Sequence, residues 1–364
     1  MQKRLLYIAP HRAGRSPGQR FRFEQFVGFF NQNGFDITFS NVINRWDDKI
    51  FYQKGKYIFK IWIGIKAFII RMRDVFRANN FDIILVYREA HFVGSTFFEK
   101  RFAKSKAKLI FDFDDAIWLD DTSDGNSNLK WLKKPEKTGE IIELSDLVIA
   151  GNSYLADYAH IFNQNVLIVP TVIDTNYHTP IKNEPNNAIC IGWTGSSTTL
   201  KHFERAVPFL LKLKETYKDT IIFKVIVDVD YYQPELNIKS THWSKNTEIE
   251  QLSSIDIGIM PLPDDQWSKG KCGFKGIQYM AMEKPTVMSP VGVNTDIIDD
   301  GTNGYLANTE NEWIEKLSLL IDSKELRLQI GKEGRKTVEE RFSLNSQKNV
   351  LLEAFNTIIA ANNL

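Results

Sequence analysis

Apolar and polar positions follow one recurring order along the chain: a short apolar run, a glycine-containing loop, a helix-period stretch, then another short apolar run. The runs at 4–10 (RLLYIAP), 34–42, 81–87 (FDIILVY), 108–113 (KLIFDF), 146–150 (DLVIA) and 166–170 (VLIVP) read as buried strands. A second series follows at 188–194 (AICIGWT), 220–227 (TIIFKVIV), 255–262 and 286–289. Between them lie helical patterns. Phe23, Phe26, Val27 and Phe30 share a face over 23–33, Ser153 sits at the cap position of 153–162, and 274–282 carries Phe274, Ile277, Met280 and Ala281 in helical register. Strands alternating with helices predict parallel α/β sheets. A chain of 364 residues has room for two such domains. We expect the first at 1–182, a polar linker with Pro185 over 183–187, the second at 183–342, and a final helix within 343–364. The polar stretch 120–137 reads as a mobile loop.

One stretch departs from this order. Residues 54–78 (KGKYIFKIWIGIKAFIIRMRDVFRA) mix aromatic and aliphatic side chains with Lys54, Lys56, Lys60, Lys66, Arg71, Arg73 and Arg77. The run is too short and too charged to span a bilayer. It suits a helix lying on an anionic membrane surface. The alternative is an ordinary domain helix with its apolar face in the core and its basic face in water. Charge sharpens the picture: the net +1 hides 21 Lys and Arg against 8 Asp and Glu in residues 1–110, and 25 against 37 in the remainder. A basic first third points to an anionic surface or ligand. Nucleic acid is not expected, because zinc spacing, RNP-like motifs and recognition-helix signatures are missing. Only Cys190 and Cys272 occur, which suits a reducing cytosol, and a first strand beginning near Met1 leads us to expect no leader.

Candidate chemistry gathers in the loops. The first strand-to-helix loop, 11–22, holds Gly14, Pro17 and Gly18 with Arg12, Arg15, Arg20 and Arg22. Guanidinium forks match phosphate or carboxylate oxygens, although a solvated loop has the same composition. Arg88, Glu89 and His91 follow a strand at its carboxyl end, where α/β sheets place ligands. His91 reads equally as a packing histidine. Asp114 and Asp115 close the next strand, and such a pair could deprotonate a hydroxyl, hold a divalent cation, or be structural. Gly195-Ser196-Ser197-Thr198-Thr199 leads into a helix near Leu200 with Lys201 in its first turn, a backbone clamp suited to a diphosphate. The loop lacks the closing Gly-Lys-Ser/Thr of a Walker loop. Gly270-Lys271-Cys272-Gly273 precedes the helix from Phe274, and with Lys271 and Lys275 it reads as a phosphate seat.

The stretch 257–296 (IGIMPLPDDQWSKGKCGFKGIQYMAMEKPTVMSPVGVNTD) resembles the donor-binding segment of family 4 glycosyltransferases. That family places Glu, seven residues, Glu around a Gly-Phe-Gly turn, then Ala-Met-Ala and Gly-x-Pro. Gln278-Tyr279-Met280-Ala281 matches the second half, with Gln278 in place of the second Glu and Gly270 in place of the first. Pro170 and Asp174 match part of the family's interdomain motif, and 301–306 its second-domain turn. Asp114 and Asp115 fall where members often have a His-Asp pair. The resemblance implies a GT-B fold, two Rossmann-like α/β domains with parallel sheets facing across a cleft, and retaining transfer from a nucleotide-diphosphate sugar as co-substrate. It implies neither a cofactor nor a metal. The implied catalytic residues are Asp114, Asp115 and Lys275. Lys275, Lys271 and the N–H groups after Gly195 and Gly273 would hold the leaving diphosphate, with Ser196, Lys201 and Phe274 beside it. Gln278 would hold the ribose, Met260 and Leu262 would border the base, and Arg20, Arg22 and His91 would serve the acceptor. With the basic apolar stretch, we expect a saccharide or lipid-linked saccharide acceptor in cell-surface polysaccharide assembly, reached by a cytoplasmic protein peripheral to the inner membrane face. A nucleotide-sugar epimerase and a non-catalytic GT-B subunit are the alternatives.

Overall fold

The computed structural model describes residues 2–119, 134–181 and 188–361. The expected linker, and all but the end of the expected mobile loop, lie outside the described residues. The chain forms two compact units, Met1–Thr171 with Gln347–Leu364, and Val172–Ser346.

The first unit begins with β1 (Lys3–His11), α1 (Pro17–Arg22), α2 (Val27–Gln32), β2 (Phe35–Ile43), α3 (Arg45–Phe51) and α4 (Tyr57–Arg77). It continues through β3 (Ile83–Tyr87), α5 (Phe97–Ala103), β4 (Lys108–Phe113), α6 (Lys137–Leu144), β5 (Leu147–Ala150), α7 (Ser153–His160) and β6 (Val166–Ile168). The strands form a parallel sheet in the order β2-β1-β3-β4-β5-β6. Every side chain of β3 is buried, as expected of a parallel strand covered on both faces.

Three local readings change. Part of the arginine-bearing loop is helix, because Pro17 enters at the first helical position with its φ already set. The 23–33 stretch breaks at Phe23 (φ −138°) into a 3₁₀ turn and α2, yet Phe23, Phe26 and Phe30 are all buried. Asn152, not Ser153, caps α7: its side chain stands just outside the helix and accepts from Leu155 N–H at 2.9 Å.

α4 is turned inside out relative to an ordinary domain helix. Lys60, Ile63, Ala67, Arg71 and Asp74 face inward. Arg71 is fully buried and donates to Ala90 O at 2.6 Å, Ser40 Oγ at 2.8 Å and Asp74 at 3.0 Å, while Asp74 also accepts from Arg77 at 2.8 Å. A charge pair saturated in this way tolerates burial. Most of its large apolar residues face outward instead: Ile58 is 81% exposed, Phe76 82%, and Phe59, Ile61, Trp62, Ile65, Phe68 and Ile69 are exposed with them. No helix among the described residues is long and apolar enough to cross a membrane.

The second unit carries β7 (Ile189–Thr194), α8 (Leu200–Glu204), α9 (Val207–Tyr217), β8 (Ile221–Val227), β9 (Tyr232–Gln233), β10 (Ile238–Lys239), β11 (Thr241–His242) and α10 (Glu248–Ser253). β12 (Ile257–Met260), α11 (Gln266–Lys269), α12 (Phe274–Ala281), β13 (Thr286–Met288), α13 (Asn294–Ile297) and β14 (Tyr305–Leu306) follow, then α14 (Glu310–Asp322) and α15 (Lys324–Arg341), and α16 (Leu344–Ala360) leaves this unit after Ser346. Its parallel sheet runs β11-β8-β7-β12-β13-β14, around a core of Trp193, Phe203, Phe209 and Trp313. α16 returns to the first unit, where the Phe355 ring lies 5.1 Å from that of Phe30.

Candidate functional site

Strand order singles out one place in each sheet. In the second unit the connection leaving β7 runs to β8 on one side and the connection leaving its neighbour β12 runs to β13 on the other, so the two loops diverge at a topological switch point. The loop after β7 carries Gly195 to Thr199, and the loop after β12 carries 261–273. Tyr279 on α12 ties them together, since its hydroxyl accepts from Thr194 N–H at 2.7 Å. Glycine is required at both turns. A Cβ on Gly195 would lie 2.2 Å from Trp193, and one on Gly273, already at φ +65°, would lie 2.2 Å from Ile297.

The N–H groups after Gly195 are bonded within the chain: Ser196 N–H donates to Thr199 Oγ1 at 3.0 Å and Ser197 N–H to Asp228 at 2.6 Å. The backbone clamp expected there is closed by the protein's own groups. Side chains supply the positive field instead. Lys271 Nζ lies 5.3 Å from the Trp267 ring, and Lys275 Nζ 5.7 Å from that of Trp193. Both lysines and Lys201 act on one residue, the buried His202 of α8. Burial, then Lys271, Lys275 and Lys201, push its pKa down to about 4, opposed in part by Asp265. Three of the expected donor-site lysines thus share one electrostatic neighbourhood.

Gln278 is buried on α12, and its Nε2 donates to Glu248 Oε1 at 3.5 Å. The same carboxylate oxygen accepts from Trp243 Nε1 at 3.3 Å, and Oε2 lies 3.8 Å from Nε2 of the buried His178. Met260 and Leu262 are core residues: Met260 O accepts from Ser289 N–H at 3.1 Å, and Leu262 N–H donates to Ser289 Oγ at 2.9 Å. Phe274 is half-buried. Sequence reasoning missed His202 and Glu248. His202 adjoins Lys201, but nothing in the linear pattern aims it toward Lys271, and Glu248 reads as an ordinary helix-start acid.

In the first unit the switch point lies between β1 and β3. Three of the arginines after β1 are matched by aspartates. Arg12 and Arg15 both reach Asp48 at 2.6 Å, and these hydrogen bonds hold its carboxyl below the ordinary range despite burial. His11 bonds Tyr52 Oη at 2.8 Å, and burial with Arg15 and Arg12 lowers its pKa to about 4, against the pull of Asp48. Arg22 is in the core, paired with Asp112 at 2.5 Å and donating to Val169 O. Arg20 lies 4.6 Å from the Phe21 ring. Arg88, in the left-handed region at φ +62°, reaches Asp114 at 2.7 Å and also pairs with Asp115. Tyr87 Oη donates to Asp114 at 2.9 Å. Burial pushes the Asp114 carboxyl up, but Arg88, Arg22 and Tyr87 outweigh it and hold it below its usual value. Gly18 allows this packing, since a Cβ there would lie 2.0 Å from Tyr87 Oη. His91 is buried elsewhere, its Nε2 3.3 Å from Gly64 O. Among the described residues no group of three or more His, Cys, Asp and Glu could hold a metal ion.

Comparison with known proteins bears on the family and the fold. Residues 229–323, which include the loop after β12 and α12, match the model of glycosyl transferases group 1. An uncharacterised glycosyltransferase of Methanocaldococcus jannaschii is 38% identical over 73 residues, 20% of either chain. Among solved structures, sucrose-phosphate synthase from Thermosynechococcus elongatus superposes with a TM-score of 0.70 at 12% identity, covering 99% of this chain and 100% of that one. Anabaena HepE in complex with UDP and glucose gives 0.65 at 12% identity, covering 98% and 100%. The chain therefore carries a glycosyl transferases group 1 domain at 229–323 and has the fold of the GT-B glycosyltransferases.

Proposed function

We propose that the protein is a family 4-type retaining glycosyltransferase, moving a sugar from a nucleoside-diphosphate donor to a saccharide acceptor. The observation that carries this reading is the placement of Lys201 after β7 and of Lys271 and Lys275 after β12, on the two loops and helices that flank the switch point of the second sheet, with all three lowering the pKa of His202. Clustered ammoniums beside the first turn of α12 suit a diphosphate, and stabilise the negative charge that grows on it as the sugar leaves. Lysine charge takes the part a metal plays in other transferases, so no metal is needed. HepE, solved with UDP and glucose, supports a nucleotide donor. Asp114, kept ionised by Arg88, is suited to accept a hydrogen bond from an acceptor hydroxyl, with Asp115 beside it.

The acceptor in this reading is lipid-linked and belongs to cell-surface polysaccharide assembly on the cytoplasmic side of the membrane. Its support is the outward apolar face of α4 together with the exposed Lys54, Lys56 and Arg73 on or just before that helix. Such a face matches the interface of an anionic bilayer. Replacing Trp62, Ile65 and Ile69 by Ser is expected to abolish sedimentation with phosphatidylglycerol vesicles. Retained sedimentation would remove the membrane from the proposal.

Thermal-shift and calorimetric titration with UDP-, GDP-, ADP- and dTDP-sugars, with and without Mg²⁺, tests the donor. One nucleotide is expected to bind without metal, and Lys275→Ala to weaken it roughly tenfold to a hundredfold with the melting temperature kept. Unchanged affinity in that variant would sink the phosphate assignment. Gly270, without the carboxylate the family pattern places there, favours a second reading as a nucleotide-binding subunit that transfers nothing. Slow donor hydrolysis by the purified chain would exclude it.

A further inference from the structure

We propose that His202 is a phosphate ligand of the donor site and takes up a proton from solvent as a diphosphate binds. The inference rests on the donor reading above and adds a residue and a proton to it. His202 is 4% exposed, and its Nε2 has no hydrogen-bond partner among the described residues. A buried ring nitrogen left unsatisfied is uncommon and calls for a partner. Charged groups on three elements and one loop act on the ring. Lys201 shares its helix, Lys271 precedes α12, Lys275 lies in the first turn of α12, and Asp265 caps α11. Burial with three ammoniums keeps the imidazole neutral in the free protein at pH 7.

A bound diphosphate reverses the sign of that field. Its oxygens neutralise the lysines and favour imidazolium, whose Nε2–H donates a charge-assisted hydrogen bond to a phosphate oxygen. The proton comes from solvent on binding and returns to it on release, so nothing else is consumed. Because the bound state holds more protons, affinity falls as pH rises from the free toward the bound pKa, approaching tenfold per pH unit in the steepest part. The same coupling loosens a product nucleoside diphosphate when His202 gives up its proton.

The full chain is titrated calorimetrically with UDP, GDP, ADP, dTDP and inorganic pyrophosphate between about pH 5.5 and about pH 8.5, in two buffers of different ionisation heat. The native protein is expected to take up a substantial fraction of one proton per ligand. The native-to-H202Q affinity ratio is expected to fall roughly tenfold across that range, and ionisation of the phosphate itself cancels in the ratio. A ratio independent of pH overturns the proposal, and so does a proton uptake by the native chain no larger than that of H202Q with the same ligand. If Lys275→Ala loses pyrophosphate while H202Q behaves as native, the donor seat stands and only the role of His202 falls. If no probe binds the native chain, the donor reading itself fails and takes this inference with it.

Discussion

The two sheets place basic residues at equivalent topological positions and use them differently. At the edge of the first sheet, arginines end on carboxylates: Arg12 and Arg15 on Asp48, Arg22 on Asp112, Arg88 on Asp114 and Asp115. At the edge of the second, lysines lie over indoles and crowd a neutral histidine. Residues 1–110 carry the excess of positive charge, yet the denser cationic seat lies in the part of the chain rich in acids. Net charge over a segment therefore says little about where an anion binds. What matters is which partners each cation meets inside the fold.

The largest effect is expected from breaking a matched pair. Arg22→Ala strands the buried Asp112 carboxylate and should cost about 3–5 kcal/mol in urea unfolding, with nucleotide affinity per folded molecule unchanged. A loss of affinity without loss of stability would mean that Arg22 serves a ligand, and the comparison would collapse.

Acid should expose the buried histidines of both units. The folded pKa of His11 and of His202 is about 4, below the unfolded value near 6.5. The unfolded chain therefore binds these protons first. Stability is fully present above about pH 6.5 and drains away as pH falls toward about 4, by up to about 3 kcal/mol for each residue. Melting curves of H11Q and H202Q against pH measure the two contributions separately. A profile that neither variant flattens would place the titrating groups elsewhere.

The smallest expected effect sharpens the second site. Glu at 278 would set two carboxylates at hydrogen-bond distance, because Glu248 already accepts from the amide. Q278E should weaken nucleotide binding roughly tenfold, and the double variant E248Q/Q278E should recover most of it. No recovery in a folded double variant would show that the pair does not act together.

Most of the architecture could be read from the chain because strand and helix periods are local properties. The runs at 108–113 and 81–87 became β4 and β3, and the loop ahead of Phe274 fell where the strand order of the second sheet diverges. Roles that depend on remote partners could not be read this way. Arg22 resembles the other loop arginines until Asp112, ninety positions away, takes it into the core. α4 shows the same limit. Its composition announced an amphipathic helix, but which face would turn inward depended on Ser40, Asp74 and the Ala90 carbonyl saturating Arg71.

The sequence by itself determined two α/β units, their glycine turns and the lysine-bearing loop ahead of Phe274, since each follows from backbone sterics, periodicity and composition over a few residues. Only the tertiary structure decided which charges are matched inside the protein, which face of α4 meets solvent, and that His202 comes under the field of the loop lysines while Glu248 meets Gln278. Those outcomes depend on desolvation and on pairing between side chains far apart in sequence, and both exist only once the chain has folded.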